Sequence, residues 1–129
     1  MKKNVIYKIL IFLFSFALIY HILILVKIVP YKLAWGGRLK SDQEMYVFES
    51  FSLVLNFLFL LFVAIQLKFI TILLHPLFCK TIWWFLAIVF AINTIGNTMA
   101  IYPFEKYFFT PITFISSICA FIIIFSKKE

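Results

Sequence analysis

Polar residues are so sparse along this chain that their positions divide it: four long apolar runs alternate with shorter segments that hold most of the prolines and most of the charge. A helix needs roughly 20 mainly apolar residues to cross a bilayer, and each run is long enough. The first spans residues 5–29 and is ended by Pro30. The second opens on Ser41-Asp42-Gln43-Glu44, which reads as a capping box: Ser41 caps the first-turn amides and Glu44 reaches back to the Ser41 N–H. It covers 42–67, and His75-Pro76 is read as the break beyond it. The third covers 79–100, with Trp83 and Trp84 near its start in the position of an interfacial aromatic belt. The fourth covers 104–126, with a kink expected at Pro111, because a start at Thr110 would leave it short for a span.

The pattern therefore predicts an all-α polytopic membrane protein, a single domain over residues 1–129 with four transmembrane helices in an antiparallel bundle. A cleaved leader fits poorly: a first run of roughly 25 residues is too long for a signal-peptide core, and no small-x-small site follows it.

Composition strengthens that picture. The chain is 65% hydrophobic and 13% charged with a mean hydropathy of +1.10, whereas soluble domains are about half apolar and a quarter charged. The net charge of +7 comes from lysines at the ends of apolar runs, the placement of membrane anchors rather than of a nucleic-acid surface. The expected partners are the lipid bilayer of a plasma or inner membrane and, beyond it, other membrane subunits or further copies of the chain.

With an even number of spans both termini share a side, which collects Lys2, Lys3, Lys8, Lys68, Lys80, Lys127 and Lys128, seven in all, against five (Lys27, Lys32, Arg38, Lys40 and Lys106) opposite. The positive-inside rule then predicts N-in, C-in topology, with Asp42, Glu44, Glu49 and Glu105 on the extracytoplasmic side.

Polar residues inside the runs fall on stripes. Glu49, Ser52 and Asn56 are spaced i, i+3, i+7; Asn93, Gly96, Asn97 and Ala100, like Thr113, Ser116, Ser117 and Ala120, are spaced i, i+3, i+4, i+7. The first run carries His21 as its strongly polar residue. At about 1.5 Å per residue, His21, Asn56, Asn93 and Ser116 lie some 12–15 Å below the outer helix ends, near one level. Together these residues outline a pocket opening outward, above inner halves that are almost wholly aliphatic and aromatic. The plainer reading is helix-packing glue, the usual work of Asn, Ser, Thr and Gly between membrane helices.

Arg38 stands apart because the other eleven basic residues are lysine. Its planar fork suits a carboxylate or a phosphate; candidate partners are Glu49, Glu44, Glu105, a lipid headgroup or an anionic ligand. Gly36-Gly37 before it allows a positive-φ turn or a close approach, and Trp35 anchors the loop at the interface. The candidate ligand-binding residues are thus His21, Trp35, Arg38, Glu49, Asn56, Asn93, Asn97 and Glu105.

Several chemistries find no support. No HExxH, Walker A, GxGxxG or GxSxG motif occurs. Cys79 and Cys119, and likewise His21 and His75, fall at different depths, which argues against a disulfide, a shared metal or a bis-histidine haem; no cofactor or metal is expected. The reading favoured is a non-catalytic protein, either an accessory subunit or a binder of a lipid or small apolar ligand. The alternative is a small oligomeric transporter or channel using Glu49 and His21 as proton carriers. A lipid-processing enzyme built on Arg38, Glu49 and Glu105 comes third.

Overall fold

A computed structural model describes residues 3–126. Helices account for nearly all of it: α1 (Lys3–Leu25), α2 (Asp42–Gln66), α3 (Pro76–Thr98) and α4 (Pro103–Phe125), with two single-turn 3-10 helices, Tyr31–Leu33 and Trp35–Gly37, between α1 and α2. Strands are absent among the described residues. Each α-helix is long and apolar enough to cross a membrane, the signature of a multi-pass membrane protein.

Helix ends follow from local hydrogen bonding, and here the expected bounds shift. Instead of continuing to Val29, α1 stops at Leu25 because Lys27 adopts φ +65°. Its N–H donates to Ile24 O at 3.0 Å while Ile28 N–H donates to Leu23 O at 2.9 Å, the paired bonds of a Schellman cap. Lys68, at φ +68°, ends α2 in the same way, donating to Ile65 O as Phe69 donates to Ala64 O.

His75-Pro76 is a start rather than a break. His75 Nδ1 accepts from Leu77 N–H at 3.1 Å, and Pro76 occupies the first turn, where its missing N–H costs nothing, so α3 begins three residues before Cys79 and ends at Thr98 rather than Ala100. Ser41 caps α2 as expected, its Oγ accepting from Glu44 N–H at 3.2 Å. The reciprocal bond differs: Glu44 Oε1 accepts from the Lys40 N–H at 2.8 Å, not from Ser41. Within α4 the helix runs unbroken through Pro111.

Contacts join α1 to α2, α3 to α4 and α1 to α4. Toward the end that holds the start of α1 and the finish of α4, an apolar core closes around Ile6, Leu10, Val63, Leu86, Ala87 and Ala120. Aromatic rings knit the same region: Tyr7 stacks on Trp83 at 5.8 Å, Phe14 on Phe90 at 5.3 Å, and Phe62 meets Trp83 edge-on at 5.2 Å. Gln66 Nε2 donates to Cys79 Sγ at 3.4 Å, holding α2 to α3 there. At the opposite end, here the Arg38 end, a smaller cluster of Tyr20, Ile24, Ala34 and Met45 ties the α1–α2 connection to its helices.

Candidate functional site

Between the two clusters lies a cavity of about 560 Å³. Its walls come from every helix: Ala17, Tyr20 and His21 of α1; Ser52, Leu55 and Asn56 of α2; Val89, Asn93, Gly96 and Asn97 of α3; Glu105, Thr113 and Ser116 of α4. Phe14, Phe59 and Phe90, packed on one another with centroids 5.3–6.1 Å apart, line it where it meets the apolar core. Leu33, Ala34, Trp35 and Arg38 line it at the other end. The contacts of α2 with α3 through Phe59–Phe85, Phe62–Trp83 and Gln66–Cys79 all lie toward the apolar core; beyond them the cavity occupies the space between the two helices.

Seven of the eight residues singled out in the sequence line this one space: His21, Trp35, Arg38, Asn56, Asn93, Asn97 and Glu105. The eighth, Glu49, stands directly behind the wall. Its side chain is 0% exposed, and its Oε2 pairs with Nδ1 of His21, which is 19% exposed. Glu49 is therefore not solvated near a helix end; the imidazole takes the place of water. A carboxylate in this position fixes the ring's orientation, turning Nδ1 toward Glu49 while the ring lines the cavity. Glu105 is also buried.

The loop residues are held across the Arg38 end. Tyr20 Oη donates to Leu33 O at 2.8 Å, and Arg38 Nη2 donates to Met99 O at 3.3 Å, linking the α1–α2 connection to the end of α3. Gly37 meets both reasons for a glycine. It has φ +75°, and a Cβ there would lie 2.9 Å from the Tyr102 ring and 3.2 Å from Ile101 Cβ. Trp35 packs on Phe48 with centroids 5.1 Å apart.

The α3 stripe splits between the two readings its spacing allows. Asn97 Nδ2 donates to Thr113 Oγ1 at 3.3 Å, and Thr94 Oγ1 lies 3.0 Å from the same oxygen, so these residues do join α3 to α4. Ser117 adds a buried bond to Ala87 O at 2.8 Å. Gly96 does not belong with them: a Cβ on it would meet nothing within 4 Å, so it faces open space rather than a close helix crossing. Exposed Asn93, one turn away, lines the same space.

Tyr20 and the three phenylalanines of the apolar end were not singled out in the sequence, whereas Thr113 and Ser116 lay on the polar stripe of the fourth helix. A tyrosine immediately before the lone histidine of α1 was the available signal. The phenylalanines carried none, being a few among 18.

A second, shallower cavity of about 410 Å³ at the Arg38 end is lined by Lys27, Tyr31, Lys32, Gly37, Asp42 and Tyr102 among others, and contains none of the eight candidates. There Lys27 Nζ donates to Asp42 Oδ2 at 2.7 Å, which holds the amine above its ordinary pKa. Comparison of the chain with protein-family profiles, with curated proteins and with solved structures returned no match.

Proposed function

We propose that this chain is a non-catalytic, multi-pass protein of a cell membrane whose cavity holds a lipid or a small, largely apolar ligand. Four antiparallel helices carry it, with both termini in the cytoplasm and the Arg38 end outside. Residue pairing supports the antiparallel arrangement: Phe14 and His21 of α1 meet Phe59 and Glu49 of α2, while Ala87 and Thr94 of α3 meet Ser117 and Thr113 of α4. The orientation rests on the lysine bias, seven against five.

The observation that carries the ligand reading is the convergence of polar residues from four helices and one loop on a single space of about 560 Å³. Ligand pockets are typically about 300–1,000 Å³, mostly apolar, with a few placed polar groups. Sixteen aromatic and aliphatic side chains here outnumber nine polar ones.

Transport by an oligomer is the competing reading, favoured by the His21–Glu49 pair, since titratable residues within membrane helices commonly serve ion or proton paths. Against it stands the core around Leu10, Val63 and Leu86, in which aliphatic and aromatic side chains predominate and the heteroatoms are those of Tyr7, Trp83 and Cys119. The excess of outward-facing phenylalanine and leucine, such as Phe12, Phe69 and Leu73, suits lipid or neighbouring subunits equally.

Photo-crosslinking tests the ligand reading. A benzophenone amino acid in place of Phe85, an aromatic residue of α3 that lines the cavity, is expected to capture one discrete species from native membranes. The same group at Ile88, an exposed residue of α3 outside the cavity, should capture the bulk lipid mixture. Identical adducts from both positions would refute the proposal.

A further inference from the structure

The hydrogen-bonding atoms around the cavity are unbalanced. Asn56 Nδ2 donates to Ser52 O at 2.8 Å, and Asn97 Nδ2 to Thr113 Oγ1 at 3.3 Å. The hydroxyls of Thr113 and Ser116 donate to the carbonyls of Phe109 and Ile112 at 3.0 and 2.9 Å, and that of Tyr20 to Leu33 O. These donors are engaged within the protein, while Arg38 and Asn93 keep further donors at exposed positions of the wall. The buried side-chain atoms left without a partner among the described residues are Glu49 Oε1, Asn56 Oδ1 and Thr110 Oγ1. Asn56 is only 9% exposed and lines the cavity, and its buried Oδ1 can accept from a donor brought in by a bound molecule.

Charge and aromatic surface point the same way. Glu105 is on the wall and Glu49 immediately behind it, both buried, whereas Arg38 sits at the exposed end. An anion pushed toward Asn56 would face its carbonyl oxygen and the Glu105 carboxylate, and beside them the ring of His21, which is already paired with Glu49. A cation would face them favourably, and would also meet the rings of Phe14, Phe51, Phe59, Phe90 and Phe109, whose faces attract positive charge.

We infer that the cavity takes an organic ammonium, a protonated primary amine on an apolar body, with one N–H directed to Asn56 Oδ1. This assignment rests on the cavity being a ligand site. The ammonium belongs either to a free alkylamine or to the headgroup of an aminophospholipid, and the experiment separates the two.

The full-length protein in phosphatidylcholine nanodiscs is titrated calorimetrically with hexylammonium, and with hexanol and hexanoate as neutral and anionic counterparts. Hexylammonium is expected to bind about tenfold tighter than either, the difference made by one hydrogen bond to a charged group. Asn56→Leu should remove that advantage; Asn56→Asp, which keeps an acceptor, should retain it and so separates lost recognition from lost folding. Gly96→Phe, filling open space, should abolish binding of every probe. Weaker apparent binding in discs containing phosphatidylethanolamine assigns the site to the lipid headgroup; unchanged binding assigns it to free amines, and both support the ammonium. Hexanoate or hexanol binding as well as hexylammonium, with Gly96→Phe still abolishing it, overturns the ammonium while leaving the ligand site. Absent hexylammonium binding likewise overturns it, and binding untouched by Gly96→Phe overturns both.

Discussion

His21 of α1 and Glu49 of α2 meet within the membrane-spanning helices, the imidazole Nδ1 on the carboxylate Oε2, with Glu49 wholly shielded from solvent. Burying a charge is costly unless it is paired, so this contact constrains how α1 packs on α2 as well as what the cavity wall presents.

Removing one partner should therefore hurt more than removing both. His21→Leu alone is expected to cost about 3–5 kcal/mol by stranding the carboxylate, and the His21→Leu/Glu49→Leu double variant distinctly less. Equilibrium unfolding of the four proteins in a mutant cycle measures the coupling. Strictly additive losses would show that the pair is not coupled.

The positions that mattered were legible in the sequence to different degrees. Level was accessible, because a fixed rise per residue converts position into depth and brought His21, Asn56, Asn93 and Ser116 to one layer. Rotation about each helix axis was only partly accessible, since i, i+3, i+7 spacing shows that Glu49 and Asn56 share a stripe without saying what that stripe meets. That is why Glu49 was a candidate for Arg38 and is found on His21. Helix ends were legible where a side chain does the capping, as at Ser41. They were obscured at Lys27, where lysine holds the left-handed position that glycine usually fills; at Lys68, in the same conformation, the apolar run itself ends and α2 stops within one residue of the expected end.

Those two lysines make a stability prediction. A non-glycine residue in the left-handed region costs about 1–2 kcal/mol, partly offset by glycine's greater freedom when unfolded. Lys68→Gly is thus expected to raise the stability of the folded protein by up to about 1 kcal/mol, read as a higher thermal midpoint in detergent. A lower midpoint would mean that the Lys68 side chain makes an interaction outweighing the strain.

Gly37 in the α1–α2 connection and Gly96 on α3 should respond oppositely. Gly37→Ala meets the Tyr102 ring and a positive φ, and is expected to destabilise by about 1–3 kcal/mol. Gly96→Ala meets open space in a helix and is expected to stabilise by up to about 1 kcal/mol. Thermal melts of the pair check both signs at once.

The Lys27–Asp42 pair predicts a pH dependence. Because its hydrogen bond to Asp42 raises the folded-state pKa of Lys27, the pair's contribution is fully present below the ordinary lysine value, about 10.4, and is lost as pH rises through the higher folded value. The midpoint difference between wild type and Asp42→Asn should be constant from pH 7 to 9 and shrink above pH 10. A difference that grows with pH would reverse the sign of the linkage.

The most direct test of an occupied cavity is native mass spectrometry of the protein released gently from its own membranes. Wild type is expected to carry a bound mass of one small molecule, displaced in Gly96→Phe while the protein remains folded. An identical spectrum for the two proteins, with or without bound mass, would contradict a ligand held between α2 and α3.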